Sequence, residues 1–293
     1  MSVRITALTD PQPSASGYRL VWLAVAEEGH PVGSAALRMF TGPGQDHAAE
    51  LDVQVHPGER RRGVGSLLLE AAVAAAREDG RRSLATWAGA DSPAALFLPA
   101  RGFEVVQTYV HTRLPLGEVD LGEVVAGIEQ PHPGYRLTSW EGLVPDSLAA
   151  TFVASRRAMD DTPTGGADSG TMVWDLDRVR TAVTAVERRG DRLHTVVAVD
   201  ASDGSIAGFT ELVVPGDGTG DGQHYGTGVL PGHRGHGLAR WMKLASIHHA
   251  RRQYPDLAGL LTDTADDNPF MRRINDSLGY LPTHTAHEYR LAL

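Results

Sequence analysis

Two stretches of this 293-residue chain repeat each other. Residues 51–69 read LDVQVHPGERRRGVGSLLL, and residues 226–244 read GTGVLPGHRGHGLARWMKL. Val55 aligns with Val229, Pro57 with Pro231, Arg60 with Arg234 and Gly63 with Gly237 at a constant offset of 174. Downstream, Arg101-Gly102-Phe103 recurs as Leu278-Gly279-Tyr280 at an offset of 177. Self-similarity at such a period means one structural unit written twice, and the length independently suits two domains.

Each copy reads as strand, Gly/Arg turn, helix, strand, short helix, strand. Leu51, Val53 and Val55 alternate as a strand does, and His56-Pro57-Gly58 ends it. Val64, Leu67, Leu68, Ala71 and Ala75 then mark one face of a helix. Ser83–Ala88 predicts a second strand, Ser92-Pro93 a capped helix start and Phe103–Leu114 a closing strand. In the second copy Leu238, Trp241, Met242 and Ala245 give the helical face. Leu257–Thr264 is its strand, Asn268-Pro269 its capped helix start and Tyr280–Leu291 its close.

Upstream of these cores the halves differ. The first carries only Val3–Gly17 before the strands Tyr18–Ala26 and Val32–Phe40. The second carries two predicted helices, Pro145–Met159 and Asp175–Arg189, joined by the polar loop Asp160–Thr171. Strands at His194–Val199 and Ile206–Val214 meet at an Asp203-Gly204 turn. The expected domains are residues 1–115 and 135–293, joined by a linker over 116–134 that holds Pro131 and Pro133. The Gly216–Gly222 run is expected to be a mobile hairpin tip.

Composition removes whole classes of function. Hydrophobic content of 42% and charged content of 22% are those of an ordinary globular protein. A net charge of −9 argues against a nucleic-acid partner, whose phosphates require clustered positive charge. With no cysteine there is no disulfide, no thiolate nucleophile and no Cys-ligated zinc. Positive charge is almost all arginine, as a GC-rich coding bias produces; Lys243 is the only lysine. The apolar stretch Leu67–Ala76 is broken by Glu70 and falls far short of the ~20 residues of a membrane span, so a cytoplasmic protein without membrane contact is expected. The histidines form no metal constellation, and none is expected.

The repeated turn points several backbone N–H groups at the positive end of a helix, which makes an anion site. Gly58 and Gly63 have the spacing of a Walker loop, but Val64 follows where Lys is required. Leu68 and Arg240 stand where the dinucleotide fingerprint requires its third glycine. What remains is Arg-x-x-Gly-x-Gly/Ala, at Arg60–Gly65 and Arg234–Ala239.

With this turn, the two halves resemble tandem members of the GNAT superfamily of N-acetyltransferases, in a layout similar to that of the mycothiol synthases and actinobacterial tandem acetyltransferases. The resemblance implies two α/β (α+β) folds, each a mixed, mostly antiparallel central sheet flanked by helices. It implies that the turn holds the diphosphate of coenzyme A while the preceding strand pairs with the pantetheine arm. That assigns Thr227, Gly228, Val229, Arg234, Gly235, His236, Gly237, Leu238 and Ala239 to acetyl-CoA in the second half, with Asn268 near the pantetheine. In the first half it assigns Val55, Arg60, Arg61, Arg62, Gly63, Val64 and Gly65.

An alkyl amine, with a pKa of about 10, must lose a proton before it attacks a thioester. In tandem relatives a carboxylate on the strand before the turn is a candidate base, and Glu211 holds that place. Relatives carry an acidic tyrosine four residues before the Gly-Phe/Tyr pair; here Leu98 and Asn275 stand there, and Asn275 keeps only a hydrogen bond to offer. Asp160 and Asp161, with Glu211, are expected to draw a cationic acceptor, and His224 is a second, remote base candidate. The first half, without substrate helices or an evident base, is expected to be a scaffold. The expected activity is acetyl transfer from acetyl-CoA to a primary amine of a small molecule, metabolite or antibiotic, or to a short peptide N-terminus, by direct attack in a ternary complex. The expected assembly is a monomer, a pseudo-dimer of its halves, or a homodimer. A non-catalytic acyl-CoA-binding sensor or scaffold is the alternative.

Overall fold

The computed structural model describes residues 3–9, 17–42, 44–160 and 173–293. In chain order its elements begin with strands β1 (Val3–Thr9), β2 (Gly17–Ala26), β3 (Pro31–Phe40) and β4 (Ala48–Val55), then α1 (Val64–Glu78), β5 (Ser83–Gly89), α2 (Ala94–Phe97) and β6 (Glu104–Pro115). There follow α3 (Leu121–Ile128), β7 (Tyr135–Glu141), α4 (Asp146–Ser155), α5 (Leu176–Arg188), β8 (Arg192–Asp200), β9 (Ile206–Val214) and β10 (Gly220–Val229). The chain closes with α6 (Leu238–Gln253), β11 (Leu257–Ala265), α7 (Pro269–Ser277) and β12 (Leu281–Ala292).

These elements form two compact units that do not follow the expected boundaries. The described part of unit 1 takes residues 3–109 and 285–293; that of unit 2 takes 110–160 and 173–284. Unit 1 orders its strands β1-β2-β3-β4-β5 and completes the sheet with β12, whose Ala286–Ala292 run antiparallel to β5. Unit 2 begins inside β6 and orders β11-β10-β9-β8-β7 beyond it. The last strand of the chain thus belongs with the first half. Most neighbouring strands run antiparallel, while β4 with β5 and β10 with β11 run parallel.

In unit 1 the apolar face of α1, with Leu68 and Ala72, packs on Leu37, Met39, Leu51 and Leu84, and Tyr289 of β12 lies in the same core. In unit 2, α6 covers one side of the sheet through Leu238, Met242, Leu244 and Ile247. The other side is covered by α4 and α5, where Phe152 and Val179 meet Val197 and Phe209. Residues 116–134 are a structured part of unit 2 rather than a linker. Asp120 accepts from the Gly122 and Glu123 amides to cap α3, whose Val124 is buried, and the Ile128 carbonyl accepts from Trp241 Nε1 at 2.8 Å. The Gly216–Gly222 run is also shorter as a turn than expected, because Gly220 already pairs with Leu257.

Both Gly/Arg turns take the same backbone path. Gly63 and Gly237, with φ of +85° and +74°, are the N-terminal caps of α1 and α6. Two residues earlier the second turn has Gly235 at +82°, whereas the first has Arg61 at +64°, the only non-glycine at positive φ among the described residues. A side chain there costs ~1–2 kcal/mol, part of which glycine returns as chain entropy. Arg61→Gly is therefore expected to stabilise the protein by about 0.5–1 kcal/mol, measured by urea denaturation.

Candidate active site

The parallel pairing of β10 with β11 is brief. It runs from Gly220 and Leu257 to Gln223 and Leu261, while β10 continues beside β9 to Val229. A bulge at Tyr225 breaks that second ladder between His224 and Gly226. Past Gln223, β10 therefore presents an edge free of the parallel strand, an arrangement that accepts an extended amide-bearing chain as an added strand would be accepted. Gly228 stands on this stretch, and a Cβ there would lie 2.9 Å from Ala158 and 3.2 Å from the Met159 sulfur, so glycine lets the turn after α4 close on β10. Thr227 shares a 2.7 Å hydroxyl hydrogen bond with Thr210.

At the end of β10 the turn opens onto α6. With Gly235 and Gly237 both left-handed, successive amides converge on one concave face. A Cβ at Gly235 would meet nothing within 4 Å, so the concavity is open. No side chain caps α6, and the first amide to bond back is that of Trp241, to the Gly237 carbonyl at 3.1 Å. The amides of Leu238, Ala239 and Arg240 are left facing the positive helix end. An uncapped first turn behind an open cradle fits a diphosphate. His132 flanks the cradle, stacked on Trp241 at 4.0 Å, and His236 is held by the His233 carbonyl at 3.2 Å.

Some expected ligands have structural tasks. Arg234 Nε donates to the Val229 carbonyl at 3.1 Å, and Arg60 Nε to the Val55 carbonyl at 3.2 Å, so the first arginine of each motif braces its own turn. Arg62 pairs with Glu59 at 2.8 Å. Asn268 spends its side-chain oxygen on the Met271 amide, capping α7. In unit 1 the space beside Gly65 is taken by Val55 and Phe97, 3.5 and 3.6 Å from where its Cβ would stand, next to the buried Val64. Ser66, in the same turn of α1, accepts from Arg101.

Glu211 is not the free base expected of it. It is 6% exposed, and both its oxygens accept from Arg156, one of them from Nη1 at 2.7 Å. Arg156, also 6% exposed, lies 4.5–4.8 Å from the rings of Phe152, Trp174 and Phe209. Both oxygens of this buried carboxylate are thus engaged by one guanidinium in an aromatic setting. Asp160 lines a cavity of about 440 Å³ with Arg157, Leu230, Pro231, Gly232 and His233. Asp161 lies outside the described residues.

On the α6 side of the sheet the structure assembles polar groups that spacing alone did not connect. Lys243 is fully buried at 1% exposure; its Nζ donates to Asn275 Oδ1 at 2.7 Å and sits 4.6 Å from the Tyr280 ring centre. Asn275 in turn donates from Nδ2 to Thr264 Oγ1 at 3.0 Å. Burial pushes Lys243 down to about 7, against an opposing pull from Asp263. His224 is buried and shares a 3.0 Å hydrogen bond with the Tyr280 hydroxyl, and burial holds it well below the usual imidazole range. Among the described residues no group of three or more His, Asp or Glu is placed to hold a metal, and no helix is long and apolar enough to cross a membrane.

His194 is stacked face to face on His249 at 3.5 Å, and burial holds it down to about 3 from 6.5. The unfolded chain binds this proton near pH 6.5, whereas the folded chain refuses it until about pH 3. The contribution to stability is therefore whole above 6.5 and is lost as pH falls toward 3. His224 and His249, also pushed down by burial, add in the same sense. Urea midpoints measured downward from neutral pH are expected to fall, and His194→Gln to make that fall shallower.

A family model described as Acetyltransferase (GNAT) family matches residues 6–103 and again residues 166–280. The chain belongs to the acetyltransferase (GNAT) family. Its family makes it an acetyl-CoA N-acetyltransferase, and acetyl-CoA is the cosubstrate of GNAT enzymes in general. The mycothiol acetyltransferase of Thermomonospora curvata is 32% identical over 244 residues, spanning 81% of this chain and 72% of that protein. That of Nocardia farcinica is 30% identical over 247 residues, spanning 83% and 75%. A solved structure titled as a tandem GNAT protein from the clavulanic acid biosynthesis pathway matches with a TM-score of 0.79 at 23% identity, covering 99% of this chain and 98% of that one. At that identity the likeness is one of fold, and it agrees with the mixed, mostly antiparallel sheet and flanking helices described above.

Proposed function

We propose that unit 2 transfers the acetyl group of acetyl-CoA to a primary amine of a small molecule in a ternary complex, and that an acceptor of the mycothiol type, after the names of the two relatives, is the first to try. The observation that carries this reading is the uncapped cradle of Gly235–Ala239 set at the end of a strand edge that has parted from its parallel neighbour. In this reading the amides of Gly235, His236, Gly237, Leu238 and Ala239 hold the diphosphate, and the edge of Thr227, Gly228 and Val229 aligns the amide arm. Acetyl-CoA, when bound, supplies an activated carbonyl. The chain supplies position, which lowers the barrier of such a bimolecular reaction substantially.

Asp160, which lines the cavity beside Leu230 and His233, attracts the acceptor as an ammonium ion. With Glu211 committed to Arg156, the amine enters neutral and gives its second proton to water in that cavity. kcat/KM is then expected to climb with pH toward the amine's own value of about 10, with no earlier plateau set by an enzyme base. A plateau near neutral pH would return the proton to an enzymic group.

The replacement of the tyrosine acid by Asn275 and the clasped Glu211 favour one second reading, a module that binds the carrier without turning it over. Calorimetry with coenzyme A and free-thiol release from acetyl-CoA across an amine panel separate the two. Heat with thiol release supports the enzyme, heat without release the module, and no heat at millimolar carrier defeats both. Unit 1, with Phe97 and Arg101 crowding the first turn of α1, is proposed to contribute no turnover.

A further inference from the structure

A chain that uses arginine for every other permanent cation keeps one lysine, and that lysine is fully buried. Arginine cannot shed its charge and lysine can, so the position is one where coding bias yields to chemistry. Lys243 has no carboxylate within ion-pair distance among the described residues. Its neighbours are Asn275 of α7, Tyr280, His224 of β10 and Asp263 of β11. A buried amine without a counter-ion is costly, and such violations of good folding practice are expected at functional sites.

Resting on the reading of unit 2 as the transferase, we infer that Lys243, Asn275 and Thr264 form a hydrogen-bond relay that stabilises the departing thiolate, in place of a tyrosine acid. The order of donors fixes its direction. Lys243 Nζ donates to Asn275 Oδ1, which orients the amide so that Nδ2 donates to Thr264 Oγ1. That hydroxyl, its lone pair engaged, has its own hydrogen to give. Thr264 stands on the stretch of β11 beyond the last pairing with β10 at Leu261, the side of the gap opposite the free edge. As the C–N bond forms, the C–S bond breaks with its electron pair passing to sulfur. The sulfur anion accepts from Thr264 and takes its proton from water on release, while the amine proton leaves to water. Lys243 and Asn275 are positioning residues; Thr264 alone meets the reacting atoms. The relay keeps its direction whether Lys243 is charged or neutral, since an amine N–H donates to Asn275 Oδ1 in either state.

The test uses the full chain with free coenzyme A as probe and reads the acidity of the bound thiol from its thiolate absorbance. Bound to the wild type, the thiol is expected to be about tenfold more acidic than in solution. Thr264→Val is expected to erase that gain and to lower kcat by about 100-fold, the low end for losing a transition-state donor, with KM for acetyl-CoA within about twofold. Thr264→Ser is expected to restore both. Lys243→Met is expected to erase most of the acidity gain; if that variant does not fold, the Thr264 pair carries the test alone. A bound thiol of the same acidity in wild type and Thr264→Val, or a Ser variant that restores nothing, overturns the relay while coenzyme A binding persists. Absence of coenzyme A binding in the wild type would instead sink the transferase reading itself.

Discussion

Arg156→Met is expected to destabilise the protein by about 3–5 kcal/mol, because it strips the partner from a carboxylate that stays buried. Glu211 would remain as an uncompensated anion at 6% exposure, with no second cation in hydrogen-bond contact among the described residues. For a unit of this size that loss lowers the melting temperature by roughly 10 °C. The double variant Arg156→Met/Glu211→Leu is expected to recover most of it, since removing both members of a buried pair is close to neutral when the replacements pack. The comparison of single and double variants gives the coupling energy directly. A single variant that loses less than about 1 kcal/mol would mean that Glu211 has water or another donor within reach, and would reopen its role as a proton acceptor.

Gly237→Glu is expected to weaken coenzyme A binding by at least about 100-fold, read by calorimetry. Two effects combine. The residue must keep a φ of +74°, which a glutamate adopts only under strain. Its carboxylate would also occupy the uncapped first turn of α6 that is proposed to hold a diphosphate, setting like charge against like. Two lost charge-assisted hydrogen bonds, at about 1.5–3 kcal/mol each, already account for a 100-fold change. Gly63→Glu makes the same change in unit 1 and is expected to leave turnover largely intact. Reversed results would move the catalytic centre to the first half.

The sequence carried the repeated architecture well because periodicity is local. The strand predicted at Ile206–Val214 is β9 residue for residue, and the predicted helices before it are α4 with its following turn and α5. Residues 120–128 held a legible signal as well: an Asp cap and then Leu121, Val124, Val125 and Ile128 at helical spacing, outweighed in the linker reading by Pro131 and Pro133. Long-range partners were a different matter. Strand alternation places Glu211 opposite Thr210 and Leu212, but nothing near it in sequence announces Arg156, 55 residues upstream. Lys243 was conspicuous as a lone lysine; its meaning needed Asn275 and Thr264 brought to it by α7 and β11. Repeat spacing likewise predicts a closing strand at Tyr280–Leu291 and is silent on which strand it pairs with.

The strand that receives it is β5 of the first half, and the order of synthesis gives this a consequence. A ribosome delivers residues 3–109 long before residues 285–293, so the earlier core waits, with Leu84 and its neighbours lacking Tyr289, until nearly everything else has emerged. Neither half can mature as an independent passenger cut at the midpoint. A fragment ending near residue 115 should come off translation as a sticky, incompletely paired β-layer, and adding residues 285–293 as a separate peptide should rescue its solubility.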